Sequence, residues 1–166
     1  DIAVKDERIV KIGNLSKENA ERIIDADGLV VTPGFIDPHT HALRGIFDVP
    51  GAESALLQGV TTLTEGNDGA SPFPIGHHYD AIIEKKISPN WSTFVGHGTI
   101  RQMVMGTEDR EPTRSEMTQM KVLIREAMED GALGMSTGLF YVPGSYASTE
   151  EVIELSKVVA EYDGIY

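Results

Sequence analysis

Short apolar runs typical of β-strands alternate with stretches of helical periodicity from Thr32 to the end of the 166-residue chain. Strands that are joined by helices in this way run parallel and are connected by right-handed crossovers. The predicted strands are 34–36, 60–64, 92–95 and 132–136, with the opening of a fifth at 165–166, and the first two predicted helices are 52–58 and 77–86. The alternation therefore predicts an α/β fold with parallel strands.

Two further helices have a capping box at their start, in which a hydroxyl residue and a glutamate three positions later satisfy each other's backbone N–H. The boxes are Thr113 with Glu116 and Ser148 with Glu151. Apolar residues at helical spacing follow each box and predict one buried stripe per helix. The stripes are Met117, Met120, Ile124, Ala127 and Met128 in the first helix, and Val152, Leu155, Val158 and Val159 in the second.

Polar, glycine-rich motifs follow each successive predicted strand, and their placement distinguishes between two parallel architectures. In a (β/α)8 barrel the active-site residues lie on one face, at the C-terminal ends of the strands. This placement favours a TIM-type barrel over an open doubly wound sheet. A whole barrel needs roughly 250 residues. Residues 34–166 are therefore predicted to form a partial (β/α)8 barrel, comprising its first four βα units.

The first 33 residues follow a different pattern, because polar turns rather than helices separate their apolar runs. The predicted strands are 2–4, 8–12, 22–24 and 29–31, and Asp27-Gly28 is a strong hairpin-turn signal. Residues 1–33 are therefore predicted to be part of a small β-domain that precedes the α/β body. Since the chain opens with the composition of a strand interior, we expect the native start to lie upstream.

Composition argues against several classes of partner. The formal net charge of −12 repels phosphate backbones, so nucleic acid is not expected to bind. The chain has no cysteine, which excludes disulfides and thiolate metal ligands. No apolar run approaches the roughly 18 residues of a membrane span, and no signal peptide is visible. We therefore expect no membrane association and a cytoplasmic location.

The segment from Thr32 to His41, TPGFIDPHTH, is the strongest chemical signal in the sequence. His39 and His41 are two positions apart on an extended chain, so their side chains point to the same side. Their Cα atoms then lie roughly 6–7 Å apart, which allows both imidazoles to reach one metal ion. Two surface histidines on a loop are the alternative. The buried strand before the pair favours the metal site.

The second predicted strand ends in Glu65-Gly66-Asn67-Asp68-Gly69, which places carboxylates next to the histidine motif. Asp68 lies between Asn and Gly and is therefore expected on a tight turn. From there it can reach the same metal as the histidines, or it can bond its own backbone in an Asx-turn. The residues alone leave these two alternatives open.

Three later side chains are candidates for substrate binding. His97 lies between two glycines after the third strand, where its imidazole faces either the site or a packed interior. Arg101 follows on a predicted loop and has the forked geometry that pairs with a carboxylate. Tyr141, in a loop rich in Tyr, Gly and Pro, offers a phenol to a carbonyl oxygen or packs as an aromatic. His77 and His78 are expected to be exposed polar residues.

Taken together, these segments resemble the amidohydrolase superfamily and, within it, the N-acyl-D-amino-acid deacylase (D-aminoacylase) family. The string 33–41 looks like the first-strand metal motif of the superfamily. The strings 59–69, 96–106 and 131–139 are similar to the second-, third- and fourth-strand segments of the D-aminoacylases. The resemblance covers essentially the whole chain.

The resemblance implies a metal-bearing (β/α)8 barrel beside a small β-sandwich, to which residues 1–33 would contribute. It implies that His39 and His41 bind a divalent metal, most simply zinc, and that Tyr141 touches the scissile amide. The family usually has a cysteine where this chain has Asp68. A carboxylate still binds zinc, but as a harder ligand it shifts preference toward manganese or cobalt.

The implied reaction is hydrolysis of an N-acyl-D-amino acid to a carboxylate and a D-amino acid, with this small molecule as the partner. Two further histidine ligands and the general-base aspartate are expected beyond residue 166. A cyclic amidohydrolase resembling a dihydroorotase or hydantoinase is one alternative. Those enzymes typically use a carboxylated lysine on the fourth strand, and residues 132–137 contain none. The other alternative is a non-catalytic fragment, whose open strand edges favour aggregation.

Overall fold

The fold is described for residues 1–16 and 18–166 of a computed structural model, which divides into two units, Asp1–Pro33 and Gly34–Tyr166. In the first unit, β1 (Ile2–Lys5) and β2 (Arg8–Ile12) form an antiparallel hairpin. The two residues between them have positive φ angles of 49° and 62°. A two-residue hairpin turn of type I′ requires this at both positions, so the short loop sets the pairing of the strands.

The strands predicted at 22–24 and 29–31 were wrong, because these residues are not in strands in the structure. A turn does occur at Asp27-Gly28, closed by a 3.0 Å hydrogen bond from the Leu29 N–H to the Ala26 carbonyl. An apolar run becomes a strand only where another strand pairs with it. The assignment of residues 1–33 to a β-sandwich stays a prediction.

The second unit contains parallel strands in two sheets, of three and of two strands, and within each sheet their spatial order follows their order in the chain. They are β3 (Phe35–Asp37), β4 (Val60–Glu65), β5 (Asn90–Thr93), β6 (Val95–Gly96) and β7 (Met135–Ser136). β4 lies between β3 and β5, and β6 pairs with β7. Ile165 adds a further parallel bridge, to Gly134. The prediction of an α/β fold with parallel strands is confirmed.

Phe94 separates β5 from β6 because the chain changes partners there. Its N–H donates to the Glu65 carbonyl, whereas the next N–H, of Val95, donates to the Gly134 carbonyl, both at 2.9 Å. The single strand predicted at 92–95 is therefore two short strands that face different neighbours.

The helices are α1 (Glu53–Leu56), α2 (Ile75–Lys85), α3 (His97–Met105), α4 (Arg114–Glu129) and α5 (Thr149–Ala160), with 3-10 turns at Ala42–Arg44 and Gly144–Tyr146. Helix α3 was missed, because Gly96-His97-Gly98 has the composition of a loop. Arg101 consequently lies on a helix and not on the loop predicted for it. None of the helices in the described part of the chain combines the length and apolar composition that crossing a membrane requires.

The core packs the apolar faces of α3, α4 and α5 around β6 and β7. Its most buried members are Ile75, Val95, Ile100, Met120, Ile124, Ala127, Met135, Leu155, Val158 and Val159. The stripe predicted for each capped helix is buried apart from Met117 and Val152, which are partly exposed. Burying such side chains stabilises the fold by roughly 1.5–3 kcal/mol each.

The two capping boxes have different outcomes. At α4 the box is complete, because the Glu116 N–H donates to the Thr113 hydroxyl and the Glu116 carboxylate accepts from the Thr113 N–H at 2.7 Å. At α5 the Ser148 hydroxyl accepts from the Glu151 N–H at 3.2 Å, but the Glu151 carboxylate turns into the interior. The second box is therefore only half formed, and its glutamate has another function.

Candidate metal centre

His39 and His41 follow β3 directly and point to one side, as their spacing predicts. Their rings are 5.5 Å apart, centroid to centroid, and both side chains are about half exposed. The His39 N–H donates to the Asp37 carboxylate at 3.2 Å, which holds the turn after the strand. A turn at the strand end therefore presents both imidazoles to the same space.

Asp68 completes the group from the loop after β4. Its Oδ2 lies 3.5 Å from His39 Nε2 and 3.3 Å from His41 Nε2. Asp68 has a φ of 57°, in the left-handed region that few residues except Gly, Asn and Asp adopt. The unusual backbone conformation turns its side chain toward the histidines. Of the alternatives open at this residue, the geometry favours the cluster.

Close contact between glycine-containing loops holds Asp68 in place. A Cβ on Gly138 would lie 2.0 Å from the Asp68 carbonyl oxygen, and one on Gly96 would lie 2.5 Å from the Gly69 carbonyl oxygen. Both distances are too short for any side chain, so these positions require glycine. The Ser136 hydroxyl accepts from the Gly69 N–H at 3.1 Å and donates to the Gly66 carbonyl. The loop after β4 is thereby fixed against the ends of β6 and β7.

Glu65, the last residue of β4, is buried beneath the histidine loop with 5% of its surface exposed. Its Oε2 accepts from the Thr40 hydroxyl at 3.3 Å and from the Leu43 N–H at 3.0 Å. Its Oε1 lies 3.9 Å from His41 Nδ1. Asn67, also buried, donates to the Thr64 carbonyl at 3.0 Å. The sequence indicated a carboxylate at this strand end but not its burial.

The cluster borders a cavity of about 970 Å³. Its lining includes His41, Asp68 and Glu65, together with Tyr141 and its neighbours Val142 and Pro143. Tyr141 is 56% exposed and is carried by a loop whose backbone folds back on itself, the Tyr141 N–H donating to the Gly138 carbonyl at 2.9 Å. The structure thus places Tyr141 on the same cavity as His41 and Asp68, two of the three predicted ligands.

His97 and Arg101 do not line this cavity, because both are fully buried against Glu151. The His97 Nε2 lies 2.8 Å from Glu151 Oε1, and the Arg101 guanidinium donates to Glu151 Oε2. Arg101 also donates to the backbone carbonyls of Glu108 and Arg110, at 3.3 and 2.6 Å. The carboxylate that Arg101 binds is therefore a side chain of its own chain, and this arrangement does not favour a substrate contact by either residue.

The buried Glu151 is held as a carboxylate. Desolvation by burial opposes its ionisation, but hydrogen bonds from His97 and Arg101, together with their charges, keep the Glu151 pKa below its ordinary value. A capping box was the only role that the sequence indicated for this residue. The only feature of the sequence that could have indicated its burial is its position beside the apolar stripe of α5.

His78 is a second buried histidine and corrects the expectation that 77 and 78 are both exposed. Its Nε2 accepts from the Trp91 indole N–H at 3.0 Å, and desolvation by burial lowers the His78 pKa. The side chain is therefore neutral and structural, in keeping with a position on the inner face of α2. His77 is exposed as expected.

The separations in the cluster fit a divalent metal. Three ligand atoms, one from each of His39, His41 and Asp68, lie within 4.8 Å of one another. Ligands at about 2.0–2.1 Å around a tetrahedral zinc ion are roughly 3.3–3.4 Å apart. The two distances from Asp68 Oδ2, 3.5 and 3.3 Å, agree with that geometry. Two imidazoles and one carboxylate also match the donor set of known zinc sites.

The family is established by comparison with known proteins. A model of the amidohydrolase family matches residues 22–163. The D-aminoacylase of Alcaligenes xylosoxydans xylosoxydans is 36% identical over 189 residues, an alignment that covers all of this chain and 39% of that protein. The chain belongs to the amidohydrolase family, which confirms the resemblance indicated by its motifs.

Solved structures agree in fold. A D-aminoacylase studied for the functional role of its binuclear metal centre matches 99% of this chain with a TM-score of 0.90 and 35% identity. N-acyl-D-glutamate deacylase from Bordetella bronchiseptica, complexed with zinc and a phosphonate mimic of the tetrahedral intermediate, matches 96% with a TM-score of 0.89 and 32% identity. The chain spans about two fifths of the length of these relatives, 40% and 38%.

Proposed function

We propose that the protein hydrolyses the amide bond of N-acyl-D-amino acids, releasing a carboxylic acid and a D-amino acid. The observation that carries this proposal is the cluster of His39, His41 and Asp68 on the border of a substrate-sized cavity. Similarity to a D-aminoacylase and an N-acyl-D-glutamate deacylase supports this substrate class over other amides. The parallel strands, arranged in chain order, are proposed to be the first part of a (β/α)8 barrel.

His39, His41 and Asp68 are proposed to hold the metal. A divalent cation held there would supply Lewis acidity and would lower the pKa of a water molecule toward about 7. Tyr141 lines the same cavity, and we propose that its phenol donates to the acyl carbonyl oxygen, which stabilises the negative charge that develops there. A carboxylate outside the present chain would accept the proton of the attacking water, and two further histidine ligands would come from the same part of the protein.

Asp68 bears on which metal the site prefers. A carboxylate is a harder ligand than the thiolate that the family usually has at this position. We propose zinc as the metal, with manganese or cobalt bound more readily than at a thiolate site.

The test is release of D-amino acid from N-acetyl-D-amino acids by the whole protein, measured with and without added Zn²⁺, Mn²⁺ or Co²⁺ after chelation. We expect turnover only with metal, and loss of it in His39→Ala and Asp68→Ala. His77→Ala is the matched control, because His77 is exposed and lies outside the cluster. Metal-dependent turnover of dihydroorotate or a hydantoin, without deacylation, would replace the proposal with a cyclic amidohydrolase.

A further inference from the structure

The Glu65 carboxylate is hydrogen-bonded to the loop that carries His41. Among the residues that the structure describes, it has no other hydrogen-bond partner. One oxygen accepts from the Thr40 hydroxyl, one position before His41, and from the Leu43 N–H, two positions after it. The other oxygen faces the His41 ring at 3.9 Å. A buried carboxylate is costly unless it is paired and hydrogen-bonded, so these contacts account for its presence in the interior.

The two nitrogens of His41 face different carboxylates. Nε2 lies 3.3 Å from Asp68 Oδ2, on the side of the cluster, and Nδ1 lies 3.9 Å from Glu65 Oε1, on the buried side. An imidazole that binds metal through one nitrogen commonly donates its other N–H to a carboxylate, which fixes the tautomer and the ring orientation. Glu65 is the carboxylate that faces this second nitrogen, at a distance longer than a hydrogen bond.

We propose that Glu65 is a positioning residue for the metal centre, holding the His41 loop on the end of β4 and keeping Nε2 as the metal-binding nitrogen. This inference rests on the metal site of the proposed function. Glu65 acts through His41 and does not itself belong to the three-residue cluster. The 3.9 Å separation is an ion-pair distance, so the carboxylate stabilises the partial positive charge that the ring gains when Nε2 binds a cation.

Glu65→Gln separates the two contacts of the carboxylate. Glutamine has the same size and keeps one carbonyl oxygen for the Leu43 N–H and the Thr40 hydroxyl. Its amide is neutral, however, and presents N–H groups toward His41 Nδ1. We expect the metal-free variant to unfold at the same denaturant concentration as the parent protein, while the Kd for Zn²⁺, measured by chelator competition, rises about 10- to 100-fold.

Glu161→Gln is the matched control, because Glu161 is an exposed glutamate paired with Arg125 at 3.2 Å on the surface. It should leave the Kd for Zn²⁺ unchanged. An unchanged Kd in Glu65→Gln would overturn the inference. The inference would also be overturned if Glu65→Gln bound fewer metal ions per protein while the ions that remained bound with unchanged affinity, since Glu65 would then be a ligand.

A second measurement does not depend on the folding of the variant. In the metal-loaded parent protein, ¹⁵N shifts of labelled histidine, assigned with a His41→Ala spectrum, should show His41 bound through Nε2 and protonated at Nδ1. Binding through Nδ1 would refute the positioning role. If zinc binds and Glu65→Gln weakens it but no deacylation occurs, the substrate proposal fails alone. If the protein binds no divalent metal, both fail.

Discussion

Replacing Glu151 with glutamine is the sharpest test of how this fold is held together. Glu151 and its partners His97 and Arg101 have no exposed side-chain surface. Glutamine keeps the shape but removes the charge, so the Arg101 guanidinium remains buried without its counter-ion. The network joins α3 to α5 and, through Arg101, the backbone at Glu108 and Arg110, so its loss affects three segments.

The size of the effect follows from the burial. Removing one member of a buried ion pair costs about 3–5 kcal/mol, because the desolvation of the remaining charge is no longer offset. At about 1.4 kcal/mol per power of ten, the folding equilibrium of Glu151→Gln falls roughly two to four orders of magnitude. Urea denaturation at pH 7, followed by circular dichroism, measures this change.

Glu154→Gln is the matched control. Glu154 is on the same helix but at the surface, where Lys121 and Lys157 hold its pKa at about 2. Glu154→Gln should lose much less stability than Glu151→Gln, because exposed ion pairs contribute little. The double variant with Arg101→Met should be less destabilised than the sum of the two single changes, since no unpaired charge remains. A Glu151→Gln protein as stable as Glu154→Gln would refute the reasoning.

Three further predictions follow from the site and its surroundings. Asp68→Cys should raise the affinity for Zn²⁺ relative to Mn²⁺, because thiolate is the softer ligand, as competition between the two ions will show. Gly138→Ala should abolish metal binding, because its Cβ would displace the Asp68 carbonyl, whereas Gly45→Ala, with open space around it, should bind normally by the same titration. Because the folded-state pKa of Glu151 is lowered, the stability it contributes is complete above its unfolded pKa of about 4.5 and is lost as pH falls through the folded value. Denaturation measured at pH values from 7 to 3 should therefore show a steeper loss of stability in the parent protein than in Glu151→Gln.

Local chemistry made much of this molecule predictable. The capping box at Thr113 and the stripe from Met120 to Met128 depend on contacts within one turn or on one helix face, so spacing alone located α4. The residues of the candidate metal site were predictable for a similar reason. His39 and His41 share a side through the alternation of an extended chain, and Asp68 lies in a turn whose composition is visible in the sequence.

The errors came where a residue's role depends on distant neighbours. Glu151 has the spacing of a capping residue, yet a histidine and an arginine 54 and 50 positions away draw its carboxylate inward. Arg101 was predicted on a loop because the glycines before it hid the start of α3. The strands expected at 22–24 and 29–31 have suitable residues, but a strand also needs a pairing partner.

The sequence by itself determined the alternation of strands and helices, the shared side of the histidine pair and the presence of a carboxylate in the turn after the second strand, because these follow from short-range periodicity and turn chemistry. Only the tertiary structure decided that Glu65 is buried against the loop of His41 and that His97 and Arg101 are buried with Glu151. Those contacts join segments 22 to 54 residues apart, and which polar groups meet there depends on how the strands are paired and the helices packed.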